Sequence, residues 1–103
     1  MSGSHSCASC HDSQRAFSDG QVVPRGATGE KLGRNAPSIV YAACNPALNW
    51  DAPGAATLET QMLTPMFGTH PVELGMAGIE SRVEAMLAQD PPYVAGFREA
   101  FPD

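Results

Sequence analysis

Near the start of the chain, Cys7-Ala-Ser-Cys10-His11 sets two thiols three positions apart, with an imidazole directly behind the second. Two thiols at that spacing can form thioethers with the two vinyl groups of one haem, and the adjacent His is then placed to ligate the iron. The pattern has two rivals. Zinc takes four ligands, usually as two paired sets, and only Cys44, His5 and His70 are left to complete a site, none forming a second pair. A thioredoxin-like redox pair belongs in a βαβ context, and no segment here alternates with period two. Covalent haem c is therefore the expected cofactor, bound through Cys7, Cys10 and His11.

A bound group of that size also suits the chain. Its 103 residues make one small domain. Such a chain is marginal on core burial alone. The 9 prolines and 10 glycines imply long loops. A net charge of −5 lacks the basic face that nucleic-acid binding requires. No apolar run approaches the roughly 18 residues that a membrane span needs. Three cysteines, an odd count, do not make a self-contained disulfide framework, and Cys44 in the apolar stretch Val40–Cys44 reads as a buried thiol. No basic and apolar leader precedes the motif, so either the chain is a fragment or its true start lies upstream. Haem attachment needs reduced thiols and export, so the expected compartment is the periplasm.

The pattern along the chain reads as all-α, a cytochrome c-like domain of short helices and long loops. The serines of the first nine residues suggest a loose end. Ser9 to Phe17 reads as a short helix carrying His11. Gly20 to Gly33 is loop, broken by Pro24, Gly26 and Gly29. Asn35 reads as the N-cap of a helix with Pro37 in its first turn and Ile39, Val40 and Tyr41 behind. Residues 45–56 are loop again, with Pro46, Pro53 and Gly54. Thr57 caps a helix from Leu58 to about Thr64, which Pro65 stops. Ile79, Val83, Met86 and Leu87 recur at helical spacing, giving an amphipathic helix from Gly78 to Gln89. Asp90-Pro91 starts another, with Tyr93, Phe97 and Phe101 on one face.

The other side of the iron is open at this level. An electron-transfer cytochrome c uses a Met sixth ligand. Met62, Met66 and Met76 lie far enough along the chain, although Met in a helix or apolar loop is more often core filler.

Further runs carry a resemblance. Cys7-Ala-Ser-Cys-His-Asp-Ser-Gln-Arg-Ala-Phe-Ser-Asp-Gly20 resembles the first haem motif of bacterial di-haem cytochrome c peroxidases and the related MauG proteins. Gly33-Arg-Asn-Ala-Pro-Ser38, Asn49-Trp50-Asp51, Thr57-Leu-Glu-Thr-Gln61 and Pro71-Val-Glu-Leu-Gly75 follow in the family's order. Met62 to Gly68 and His70 to Gly75 most resemble the MauG-like enzymes of methanobactin clusters (MbnH-like). The likeness spans nearly the whole chain.

The resemblance implies roles. His11 is the proximal ligand of the peroxidatic haem. Glu73 lies on the distal side as acid/base for hydrogen peroxide, with Gln61 as its hydrogen-bonding partner. Trp50 lies between two haems and carries electrons. Asn35 contributes to a calcium site between haem domains. On the residues alone, Glu73 is a solvated loop acid, Gln61 a surface amide, Trp50 a core side chain, Asn35 an N-cap and His70 a surface imidazole.

The chain also departs from the family. The loop from Gln21 to Arg34 holds no His, where many members carry one that blocks the iron at rest; that matches the MauG-like branch. Asn49 replaces the usual aromatic before the Trp, and Trp50-Asp-Ala-Pro-Gly stands where Trp-Asp-Gly-Arg-Ala is usual. Members carry a second CxxCH, whereas this chain has one. Residues 1–103 thus read as most of the N-terminal haem domain of a longer enzyme whose second haem domain is missing here. The expected activity reduces hydrogen peroxide, or uses it to oxidise a protein substrate, with a small cytochrome as the other candidate donor. Without the second electron store, the single domain is expected to lack multi-turnover activity. The alternative is a single-haem electron-transfer cytochrome c with a Met sixth ligand, which has no need of Gln61 and Glu73.

Overall fold

The computed structural model describes residues 5–50 and 57–102. Three 3-10 turns, Cys7–Ser9, Ser13–Arg15 and Ala42–Cys44, come first. Three helices follow: α1 (Leu58–Phe67), α2 (Glu80–Gln89) and α3 (Pro91–Ala100). No strand forms among the described residues, and two isolated antiparallel bridges, Asp12 with Ser18 and Arg25 with Lys31, close short loops. The domain is all-α, built of short helices and long loops. None of the described helices is long and apolar enough to cross a membrane. The first residues of the serine-rich start, and Asp51, Pro53 and Gly54 of the 45–56 loop, lie outside the described residues.

The expected helix from Ser9 to Phe17 does not form. The backbone N–H groups of Cys10 and His11 both donate to the Cys7 carbonyl, closing one tight turn. Asp12 Oδ1 then accepts from Gln14 N at 2.9 Å and starts the next turn. Ala16 and Phe17 follow in the left-handed region, at φ 53° and 58°. For non-glycine residues this costs about 1–3 kcal/mol each, so surrounding bonds must hold it. Ser38 Oγ donates to the Ala16 carbonyl at 2.5 Å, and Ser18 Oγ donates to the Ala36 carbonyl at 2.9 Å.

Those bonds also explain why Asn35 caps no helix. The carbonyls of Asn35 and Ala36 accept from side chains elsewhere in the chain, and Pro37 has no N–H to give. The segment therefore stays irregular up to the turn at Ala42–Cys44, which Tyr41 enters at φ 58°. Without a helix there is no apolar face to bury, and Cys44 is exposed rather than buried.

Thr57 does cap α1. Its Oγ1 accepts from Thr60 N, and Thr60 Oγ1 accepts from Thr57 N, a reciprocal capping box. Pro65, expected to stop the helix, sits inside it, and α1 continues to Phe67. Pro65 has no N–H for the Gln61 carbonyl, so α1 passes through it with one i→i−4 bond missing. The end carbonyls find other donors: Thr64 O takes Gly68 N, Pro65 O takes Leu74 N and Met66 O takes Met76 N. The last two bonds tie the following loop back along the helix end.

Helices α2 and α3 pack on each other, hinged at Asp90, with Pro91 at the first position of α3, where no N–H is required. Phe97 of α3 and Phe101, just past its end, stack at 6.2 Å. Elsewhere apolar burial is thin. Leu32 and Ala36 are the buried apolar side chains among the described residues, with Pro24 and Gly26 buried beside them.

Candidate haem site

The CxxCH turn presents its three functional groups from five residues. Cys7 is exposed, Cys10 is partly buried, and neither is in a disulfide. Burial raises the Cys10 thiol pKa above its ordinary value, and the nearby carboxylates of Asp19 and Glu73 and the Cys7 thiol add to this. A redox-active CxxC needs the opposite shift, toward thiolate. Among the described residues no group of three His, Cys, Asp or Glu side chains could hold a bare metal ion.

His11 is oriented by one bond. Its Nδ1 lies 3.1 Å from the Phe17 carbonyl oxygen. A carbonyl can only accept, so Nδ1 carries the proton and the Nε2 lone pair is left for a metal. Phe17, whose carbonyl meets His11, and Ile39 and Val40, which follow the Ser38 bonded to Ala16, are half-exposed and offer apolar surface to a flat macrocycle. Two accessible thiols, a free Nε2 and adjoining apolar surface fit the donor set that a c-type haem requires.

Glu73 lies in the loop that follows α1 and is held from two sides. Its backbone carbonyl accepts from Ala27 N at 2.8 Å, and Val72 N donates to Glu30 Oε1 at 3.1 Å. Leu74 N meets the Pro65 carbonyl at 3.0 Å. The carboxyl is partly buried rather than solvated. Burial raises its pKa above the ordinary carboxylate value, while positive charge on His11 pulls the other way. Glu73 and His11 are thus within electrostatic reach, and among the described residues no hydrogen bond joins them.

Gln61 lies one helical turn before Pro65, on the same side of α1. The Pro65 carbonyl anchors Leu74 and so ties the loop that carries Glu73 to the end of α1. Gln61 Nε2 donates to Asn49 Oδ1 at 3.4 Å. Trp50 is 58% exposed and so is not a core side chain; its Nε1 donates to the Asn35 carbonyl at 3.1 Å. The structure therefore forms two groups, one of Cys7, Cys10, His11 and Glu73, the other of Gln61, Asn49, Trp50 and Asn35. The Asn35–Ser38 segment connects them through its bonds to Ala16 and Ser18. His70 is exposed, and its Nδ1 lies 3.2 Å from Thr69 Oγ1.

The whole chain, residues 1–103, matches the family model for di-haem cytochrome c peroxidase. The chain belongs to that family. It is 39% identical to the methylamine utilization protein MauG of Paracoccus denitrificans, over 93% of this chain and 29% of that protein. It is 36% identical to the cytochrome-c peroxidase IdrP2 of Denitromonas iodatirespirans, over 87% of this chain and 24% of that protein. A crystal structure of a MauG-like protein associated with microbial copper homeostasis superposes with a TM-score of 0.84 at 44% identity, over 97% of this chain and 29% of that one. The chain thus spans about a quarter to three-tenths of the relatives it matches.

Several supports of this peroxidase-family site carry no motif of their own. The Phe17 carbonyl acts on His11 six residues away, the Ser38 hydroxyl and Glu30 act through bonds 22 and 42 residues away in sequence, and Gly26 acts by its close approach to the Val72 carbonyl. Gly26 is the sharpest case. A Cβ built there would stand 1.9 Å from the Val72 carbonyl oxygen, a backbone atom with little freedom to withdraw. Gly26→Ala is therefore expected to push the Glu73 loop off the 24–33 loop. Overpacking of this kind costs about 1–3 kcal/mol or more. A thermal melt should show the loss; an unchanged melting temperature would mean that the two loops do not meet as described.

Proposed function

We propose that this chain is the peroxide-handling haem domain of a longer di-haem enzyme, and that it either reduces hydrogen peroxide or uses it to oxidise a protein substrate. One observation carries the reading: a partly buried carboxyl, Glu73, held by two loops within electrostatic reach of an imidazole whose Nε2 is free. An electron carrier has no use for such a carboxyl.

Cys7 and Cys10 would hold the haem by thioethers, and His11 Nε2 would ligate its iron. The bound haem supplies the redox-active iron at which peroxide reacts. Glu73 takes a proton from one peroxide oxygen and returns it to the other, which is general acid–base work. Its raised proton affinity suits a group that must both hold and release a proton. Gln61 hydrogen-bonds on the same side, its amide oriented by Asn49. Trp50, fixed by the Asn35 carbonyl, lies on the path to a second haem carried elsewhere in the protein. Asn35 contributes one oxygen to a calcium site that other parts of the protein complete, since calcium takes six to eight. The location is periplasmic, where c-type haem is attached.

The reading is tested on the full-length holoprotein by its ferric spectrum. The iron ligated by His11 should be high-spin, and Met62→Ala, Met66→Ala and Met76→Ala should each leave it so. A low-spin signal that any one of these substitutions converts to high-spin would establish a Met sixth ligand and favour the electron carrier. Peroxide should bleach or shift the high-spin band within the mixing time of a stopped-flow experiment.

A further inference from the structure

The position of the His11 ring depends on a backbone carbonyl, and that carbonyl depends on a strained turn. Phe17 is the acceptor for His11 Nδ1–H, and it follows Ala16 in a pair of left-handed residues with φ of 53° and 58°. Neither is a glycine, so neither adopts this geometry freely. The turn is partly closed from within, by Phe17 N donating to the Asp12 carbonyl at 2.8 Å. From outside it is held at Ala16 by the Ser38 hydroxyl, 22 residues away in sequence and 2.5 Å away in space. Ser38 Oγ also accepts from Val40 N at 3.2 Å, which orients the hydroxyl hydrogen toward Ala16.

We propose that Ser38 is a positioning residue for the axial imidazole: by clamping the Ala16–Phe17 turn it keeps the Phe17 carbonyl on His11 Nδ1–H and thereby sets how strongly His11 donates to the iron. The inference rests on the haem reading above and adds to it a residue that touches neither haem nor peroxide. Its physics is that of the outer shell of a metal site. An acceptor on the far nitrogen fixes the tautomer and ring orientation and makes the ligating nitrogen more basic. A more basic axial ligand stabilises ferric over ferrous iron, so hydrogen bonding of this kind is one of the protein's levers on potential. When the clamp is removed, the turn relaxes toward ordinary backbone angles and the carbonyl swings off the ring. The iron–histidine bond then weakens, and reduction becomes easier.

The test uses the full-length protein with haem attached. Two readouts follow the axial bond rather than turnover: the iron–histidine stretching frequency of the ferrous haem and its reduction midpoint. Ser38→Ala should lower the first and raise the second. Ser38→Thr keeps the hydroxyl and should hold both at the wild-type values. Ser38→Cys, near in size with a weak donor, should shift both in the same direction by less, and it serves if the alanine variant does not fold. Unchanged stretch and potential in a folded Ser38→Ala or Ser38→Cys protein with haem attached would overturn the proposal and leave the haem reading intact. A wild-type protein with no covalent haem on Cys7 and Cys10 would overturn the haem reading first, before any variant is made.

Discussion

A full-length protein in which Cys7 and Cys10 are both alanine is expected to carry one covalent haem fewer per chain than the wild type. The measurement is haem mass and haem stain after denaturation, from cells that express the periplasmic attachment machinery. Thioethers survive denaturation, whereas a haem held only by His11 does not, so the count separates the two. The loss should extend to folding. Leu32 and Ala36 are the buried apolar side chains among the described residues, and Phe17, Ile39 and Val40 stay half-exposed. A group that binds only the folded state adds its binding free energy to stability. The double variant should therefore melt earlier and digest faster in this domain. An unchanged covalent haem count would refute attachment at this motif.

Glu73→Gln should keep the haem and its spin state and slow the reaction with peroxide by about 10²–10⁴-fold, the usual range for a lost general acid–base group. The substitution preserves size and hydrogen bonding and removes the proton-transfer capacity, which is why it is preferred to alanine. A pH profile sharpens the result. Burial raises the Glu73 pKa, and only positive charge on His11 opposes it. The wild-type rate should then fall on the acid side at a pH above the ordinary carboxylate range, and the variant should lack that limb. The sign for stability is the reverse of the common carboxylate case. A raised folded pKa favours the folded state most at low pH, and that contribution declines as pH rises through the raised value. A rate that Glu73→Gln leaves unchanged would remove this residue from the chemistry.

Much of the site was legible because its chemistry is local. Cys7, Cys10 and His11 lie within five residues, and one tight turn brings them together whatever the rest of the chain does. The helices were legible for a similar reason. The cap at Thr57, the apolar spacing from Ile79 to Leu87 and the proline at the start of α3 each act within a few residues. The errors fall where a distant partner overrides a local preference. Pro65 did not end α1; its own carbonyl and that of Met66 are taken by Leu74 and Met76 of the following loop, which holds the helix end. Asn35 capped nothing, because its carbonyl accepts from Trp50. The helix expected at Ser9–Phe17 gave way to a left-handed corner that Ser38 holds. Cys44 is exposed because the helix that should have buried it does not exist.

The sequence by itself determined the attachment motif, the all-α class, the family and the last three helices, since each rests on residue type at short spacing. Only the tertiary structure decided that Glu73 is a held, partly buried carboxyl and not a solvated loop acid. It also decided which nitrogen of His11 is free, and that Trp50 is fixed by its indole N–H with most of its ring exposed. The physical reason is common to all three. Burial, a proton's position on a ring and the partner of an indole N–H depend on groups 6 to 42 residues away, and spacing along the chain does not encode which of them meet.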